Sequence, residues 1–376
     1  MSNNKLIIAA AGSGKTTFLI NEAKKVIDKN VLITTYTESN KKEIKNKYIK
    51  SLGYIPNNIH IQNWFSFLLQ HGVRPYQGII DENLFYKKIG FSLTNNRSGI
   101  RYKNANNQPV YWSENENILK HYFNKELNIY SDKISKFIFN CNKKMKGEVI
   151  QRISRIYSNI FIDEVQDLAG WDLELLKLLF KTKINIILVG DPRQVVYLTH
   201  HPQKNPDYKF GNLDKFIEER CKKDICEIDK DYLNSSHRNN TQICEFSSKL
   251  FPKQSVPRAC ECKNCREHNE IDEGIFLVRE VDVTEYCKNY SPTILRHEKA
   301  LFPEWNFGKA KGLSFDRVLI YPTNPIKNWI KNNKTELAFY SRCKFYVAIT
   351  RAKYSVGIVY NFKKDEEFDG IEKYNP

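Results

Sequence analysis

The sequence predicts an α/β protein with two parallel sheets, and three observations predict it. Short β-branched runs alternate with amphipathic helical patterns: LIIAA at 6–10, VLITT at 31–35, IFID at 160–163, INIILVG at 184–190, RVLIY at 317–321 and SVGIVY at 355–360. The runs are continuously apolar rather than alternating, as expected of parallel strands covered by helices on both faces. They also fall into two groups, one ending near residue 191 and one beginning after about 224, separated by the polar, proline-bearing stretch HHPQKNPDYKF at 200–210. A chain of 376 residues is long enough for two domains, each with its own core.

Composition narrows the function class. Lys and Arg number 59 against 43 Asp and Glu, a net charge of +16 that favours a polyanionic partner, either nucleic acid or an acidic membrane. Nine cysteines spread over so long a chain point to reduced thiols and a cytoplasmic location, not to a secreted disulfide framework. No run reaches the ~20 apolar residues of a membrane span. The opening MSNNKLIIAAAG runs into a glycine loop and a lysine instead of a cleavage site, so it reads as a buried strand.

The organisation expected is a first lobe over 1–200 with an inserted region at about 70–150, and a second lobe over 201–376 with a cysteine-containing insertion at about 252–305. Residues 72–112 are rich in Asn, Gly and Arg with little periodicity, and helices are expected near 114–129 and 132–156. No solenoid repeat is present.

AAAGSGKTT at 9–17 follows a strand and opens a helix, the setting a phosphate-binding loop requires. Ala11, Gly12, Ser13, Gly14, Lys15, Thr16 and Thr17 are the expected nucleotide-binding residues. Gly12 and Gly14 let backbone amides turn toward phosphate oxygens, Lys15 reaches the outer phosphates, and Thr16 offers a hydroxyl to Mg²⁺. IFIDEVQD at 160–167 ends a second strand in acids, with Asp163 in the Mg²⁺ shell and Glu164 polarising the attacking water. ILVGDPRQVVY supplies Gln194 as a γ-phosphate sensor. Arg238, in LNSSHRNNTQI, and Arg351, in KFYVAITRAKYSVGIVY, are candidates to neutralise transition-state charge as arginine fingers, the alternative being two surface arginines in a chain that has many.

In this order, AAAGSGKTT, TTYTESNKKEI, DEVQD, GDPRQVVY, SHRNN, KGLSFDRV and YVAITRAK resemble the motifs of superfamily 1 helicases of the UvrD/Rep group, from residue 5 to about 360. The resemblance implies tandem RecA-like P-loop domains, ATP as the nucleotide with Mg²⁺, and movement from 3′ to 5′ on DNA. It implies that Thr35, Tyr36, Thr37 and Asn40 contact the strand and that Gly312 and Ser314 couple nucleotide to DNA. The chain also departs from the family pattern. Ala9 opens the phosphate loop in place of glycine, and Thr199 and His200 stand where an aromatic residue and an arginine are usual. Asn306 and Gly308 replace threonine and histidine, and Ser314 replaces glutamate. Few residues precede the loop in which an adenine-reading glutamine would be sought.

Single strands are held by basic grooves and by aromatic faces that stack on bases. Tyr36, Trp64, Phe65 and Tyr197 are the aromatic candidates, and Lys41, Lys42, Lys45 and Lys47 the basic ones; for Trp64 and Phe65 a core pair at a helix start is the competing reading, and for the lysines a solvated face. ACECKNCREH at 259–268 offers Cys260, Cys262, Cys265 and His268, either as zinc ligands or as a metal-free loop. Cys221, Cys226, Cys244 and Cys343 read as small core residues. The function expected is an ATP-dependent translocase or helicase acting on single-stranded DNA or a duplex with a single-stranded tail. The alternative is a nucleic-acid-regulated ATPase gating a partner nuclease or effector, as small relatives in phage-defence systems would.

Overall fold

The structure, a computed structural model, describes residues 4–94, 96–199, 204–223, 225–262, 265, 273–332 and 335–376. The chain divides into two compact units. One comprises Met1–Ile7, Thr16–Val189 and Leu198–Asp229; the other comprises Ile8–Lys15, Gly190–Tyr197 and Lys230–Pro376.

In chain order the first ten strands are β1 (Lys5–Ile8), β2 (Val31–Thr35), β3 (Ile59–Asn63), β4 (Gly90–Ser92), β5 (Ile100–Lys103), β6 (Pro109–Tyr111), β7 (Asn128–Tyr130), β8 (Asn159–Ile162), β9 (Asn185–Gly190) and β10 (Glu227–Asp229). Six of them form a sheet in the order β10-β1-β9-β8-β2-β3. The pairings β1–β10, β2–β3, β2–β8 and β8–β9 are parallel. All five residues of β2 and all four of β8 are buried, which explains why these runs read as continuously apolar.

The helix Glu38–Leu52 shows how local sequence sets an element. Thr37 caps it by accepting the Asn40 N–H at 3.1 Å, and Gly53 ends it at φ +79°, donating its N–H to Ile49 O at 2.8 Å. Its buried stripe, Asn40, Ile44 and Tyr48, repeats at i, i+4 and i+8.

The inserted region is less helical than expected. Within 114–129 only Ile118–Tyr122 is α-helical, because the Asn124 carboxamide accepts the N–H groups of Glu126 and Asn128 and turns the chain into β7. The expected helix over 132–156 breaks into Ile134–Lys144 and Glu148–Ile156 at Lys146 and Gly147, both at positive φ. β4 pairs with β7 and β5 with β6, as two small ribbons within this region.

The second set of strands is β11 (Ser235–Ser236), β12 (Arg258–Ala259), β13 (Gly274–Val278), β14 (Thr293–Arg296), β15 (Trp305–Asn306), β16 (Phe315–Tyr321), β17 (Ala352–Val359) and β18 (Glu372–Lys373). β11 and β12 pair with each other, and the rest form a sheet in the order β15-β14-β16-β17-β13-β18 with parallel pairings. Val278, Tyr286, Leu319, Val359 and Tyr374 form one of its buried clusters.

Two expected boundaries change. The stretch Leu198–Asp229 belongs to the first unit, because β10 extends the first sheet beside β1, so the last passage into the second unit falls near 230 and not at 200. The segment 252–305 supplies strands to the second sheet: β13 and β14 lie within it, and β13 pairs along its whole length with β17. Among the described residues no helix is long and apolar enough to cross a membrane.

Trp64 belongs to the core. It is 1% exposed, and its indole N–H donates to Asp172 Oδ1 at 2.9 Å, where the Ser135 hydroxyl also donates. It is therefore no platform for a base, a correction to the aromatic candidates. Trp64→Phe is expected to lower the unfolding free energy by about 1–3 kcal/mol, because the buried carboxylate loses a donor. It is expected to leave single-strand affinity unchanged, which denaturant titration and oligonucleotide anisotropy would check together.

Candidate nucleotide and nucleic-acid site

In the first unit, the helix beginning at Lys15 carries Thr16, whose hydroxyl donates to Asp163 Oδ2 at 2.7 Å. Asp163 stands just past the end of β8, and its N–H is held by Thr34 O of the neighbouring β2 at 2.8 Å. Parallel pairing of two buried strands thus aims the acid, and burial of its residue (4% exposed) limits where its carboxylate can turn. Glu164 follows at φ +58°, ψ +39°, a left-handed conformation that costs a non-glycine residue roughly 1 kcal/mol and is seen where a side chain must be re-aimed. Its N–H is satisfied by Asp163 Oδ1 at 2.9 Å, and its carboxylate accepts from Gln166 Nε2.

Thr199 explains one departure from the family pattern. It is buried, its N–H donates to Asp167 O at 2.9 Å, and its hydroxyl accepts the Ala169 N–H at 3.0 Å, so it braces the loop after the two acids. His200 and the polar stretch through 203 lie outside the described residues.

The strand-contacting candidates gather at the end of β2. Thr35 is buried and accepts from Asn40 Nδ2 at 3.4 Å, while Thr37 serves as the helix cap. Tyr36 is half-buried with its ring edge-on to Phe65 at 5.6 Å, and Phe65 packs in turn on Phe91 at 5.0 Å, so Phe65 is a supporting core residue. Of the four lysine candidates, Lys41 pairs with Glu38 and Lys47 with Glu43, while Lys42 and Lys45 are exposed. Thr17 is exposed and its hydroxyl accepts from Lys47 Nζ at 3.4 Å.

In the second unit, Gly12 and Gly14 take φ +74° and +82°. Gly12 answers a second demand as well: a Cβ there would stand 2.6 Å from Ser236 Oγ and 2.8 Å from Arg238 Cβ. Ser236 Oγ donates to Ala11 O at 3.2 Å and the His237 N–H to Gly12 O at 2.8 Å. Ala11 donates its own N–H to the Tyr346 hydroxyl at 3.4 Å, and Ser13 is buried. Lys15 is buried, with Nζ donating to Ala9 O at 3.0 Å and Ala10 O at 2.7 Å.

Gln194 joins two of the candidates. Its Nε2 donates to Asp191 Oδ2 at 2.9 Å, and its Oε1 accepts from Arg351 Nη2 at 3.1 Å. Arg351 is 2% exposed and also donates to Val347 O and Leu313 O. Arg238 donates to Thr350 O at 3.3 Å, one residue before Arg351. Gly312, at φ +87°, precedes Leu313, and Ser314 is exposed. Tyr197 is 38% exposed, and a Cβ at Gly308 would lie 2.5 Å from its hydroxyl. A side chain as large as histidine at 308 would therefore displace Tyr197 in this chain.

Asp191 and Arg193 were not singled out by motif reading, yet they anchor this network. Asp191 has no solvent exposure and accepts from Arg193 Nε at 2.8 Å. Burial pushes its carboxyl pKa up, but the Arg193 guanidinium and the Lys15 ammonium outweigh burial and hold it below the ordinary value. A lowered pKa contributes stability above the unfolded value of about 4, which is lost as pH falls through the folded value. Asp191→Asn is expected to lower the unfolding free energy at neutral pH by about 3–5 kcal/mol, since Arg193 is left as a buried cation. A loss under about 1 kcal/mol in urea denaturation would show that Arg193 does not need it.

Residues 1–70 and 80–200 match the family described as UvrD/REP helicase N-terminal domain. The chain is 23% identical over 428 aligned residues to a Mycoplasma pneumoniae protein named "Probable DNA helicase", covering 93% of this chain and 79% of that one. It is 28% identical over 292 residues to the Gabija protein GajB of Bacillus cereus, covering 75% of this chain and 52% of GajB. With the RecBCD enzyme subunit RecB of Borreliella burgdorferi the identity is 24% over 259 residues, 62% of this chain and 21% of RecB. The chain thus spans about half the length of GajB and a fifth of RecB. Among solved structures, the Arterivirus nonstructural protein 10 helicase is similar at a TM-score of 0.46 and 14% identity, covering 96% of this chain and 60% of that one.

Proposed function

Because this chain belongs to the UvrD/REP helicase family and is an ATP-driven enzyme of that class, we propose that it hydrolyses ATP with Mg²⁺ to step along single-stranded DNA from 3′ to 5′, separating duplex ahead of a single-stranded tail. The observation that carries the reading is the 2.7 Å hydrogen bond from Thr16 to Asp163, which joins a phosphate-loop hydroxyl to a strand-end carboxylate 147 residues away. Both are hard oxygen donors, and they fit Mg²⁺, which takes one or two protein oxygens and fills its remaining positions with water and phosphate. Bound there, the ion supplies neutralisation of phosphate charge.

The protein groups then have separate tasks. Lys15 gives its ammonium to the outer phosphates, with the loop amides around Gly12 and Gly14 as further donors. Glu164 accepts the proton of the attacking water. Gln194 senses the γ-phosphate, and Arg238 and Arg351 neutralise charge developing on it. Tyr36 and Thr37 form the strand-contacting set, braced from beneath by the buried Thr35 and Asn40, with Tyr197 as a stacking surface. The proposed location is the cytoplasm.

Glu164→Gln is expected to lower DNA-stimulated ATP turnover by about 10²–10⁴-fold while nucleotide affinity persists. Turnover indifferent to single-stranded DNA, single-stranded RNA and duplex alike would overturn the motor reading. A duplex with a 3′ tail is expected to be unwound in preference to one with a 5′ tail, and equal rates would remove the polarity.

The likeness to GajB and to a subunit of the RecBCD enzyme favours a second reading, in which the ATPase gates a partner nuclease or effector. DNA-stimulated turnover without strand separation on either tailed duplex would favour it over the first.

A further inference from the structure

β11 and β12 are two-residue strands paired in parallel, Ser235 with Arg258 and Ser236 with Ala259. Parallel pairing brings the residues that follow each strand to the same end, so His237 and Cys260 emerge side by side, fastened by the Cys260 N–H donating to Ser236 O at 2.8 Å. Two residues on, Cys262 and Cys265 close a turn in which the Cys265 N–H donates to Cys262 O at 3.1 Å. The result is a convergence of soft donors. His237 Nδ1 stands 3.2 Å from Cys265 Sγ, Cys260 Sγ stands 3.1 Å from Cys262 Sγ, and Cys262 Sγ stands 2.8 Å from Cys265 Sγ. All four donor atoms lie within 4.8 Å of one another.

We propose that His237, Cys260, Cys262 and Cys265 bind a structural zinc ion. Three sulfurs and one imidazole nitrogen are a common structural zinc set, and bonds of ~2.3 Å to sulfur and ~2.0 Å to nitrogen at tetrahedral angles separate the donors by roughly 3.5–3.8 Å. The cluster is compact enough to reach that spacing by small side-chain rotations. Burial argues the same way. Cys141, Cys226, Cys244 and Cys343 lie in the core as small apolar residues, whereas His237 and Cys262 are exposed and Cys260 and Cys265 half-buried. No apolar core drives three thiols together at such a place, and a metal ion would. The fourth donor proposed is His237, from a separate strand end; His268 of the cysteine run lies outside the described residues.

That choice ties the ion to the nucleotide loop. His237 lies between Ser236, bonded to Ala11 O, and Arg238, bonded to Thr350 O, and its own N–H holds Gly12 O. A zinc ion here would cross-link the 258–265 segment to the backbone that carries Arg238, holding its approach to the phosphate loop. The proposal stands whether or not the protein moves along DNA.

The test is metal content of the full-length chain purified without chelator, with about one zinc per chain expected. Cobalt(II) replacement is expected to give thiolate charge-transfer bands and the visible bands of a tetrahedral site. Cys262→Ser and His237→Gln are expected to weaken metal binding more than about tenfold, and His268→Gln to leave it unchanged. Absence of stoichiometric zinc together with no tetrahedral cobalt spectrum from the wild type overturns the proposal, and these two measurements decide it even if the variants misfold. Metal retained by His237→Gln but lost by His268→Gln overturns the ligand assignment.

Discussion

The rest of the structure depends on parallel strands buried on both faces. A strand such as Val31–Thr35, with every residue buried, has no solvent face to slip toward, so its register with β3 and β8 is set by packing. Once that register is set, the residues leaving the carboxyl ends of β1, β2, β8 and β9 have little freedom. The phosphate loop, the Thr35–Thr37 segment, the Asp163–Glu164 pair and the Asp191–Gln194 turn all occupy such positions. Ligand chemistry gathers at the carboxyl ends of strands in open α/β sheets for this reason.

A second constraint operates on charge. Asp191, Arg193, Gln194 and Arg351 are all nearly inaccessible to water, and such groups are tolerable only when each has partners. Asp191 is shared between Arg193 and Gln194, and Gln194 is shared between Asp191 and Arg351. A glutamine suits the middle position because its carboxamide donates with one atom and accepts with the other. A change at Gln194 is therefore transmitted by direct hydrogen bonds to a carboxylate on one side and to a guanidinium on the other.

Departures from the family pattern acquire physical reasons in the fold. Gly308 leaves room for the Tyr197 hydroxyl, and Thr199 supplies a small hydroxyl where the loop after β8 needs an acceptor for the Ala169 N–H. The segment 252–305 misleads in sequence because GIFLV at 274–278 is a short apolar run in polar, cysteine-bearing surroundings, and such runs carry little periodicity. Its pairing with β17, Gly274 with Ser355 through Val278 with Val359, makes it part of a sheet.

By itself the sequence determined the α/β class, the phosphate loop, the strand-end acids and the family resemblance. These rest on local matters: glycines at positive φ, a lysine and a threonine at the start of a helix, acids after an apolar run. The tertiary structure decided which of the aromatic candidates are core, how far the first sheet extends, that Gln194 meets Arg351, and that the histidine beside Cys260, Cys262 and Cys265 is His237. Each of those brings together residues far apart in the chain through parallel pairing and side-chain packing, and neither leaves a signature at a fixed spacing along the sequence.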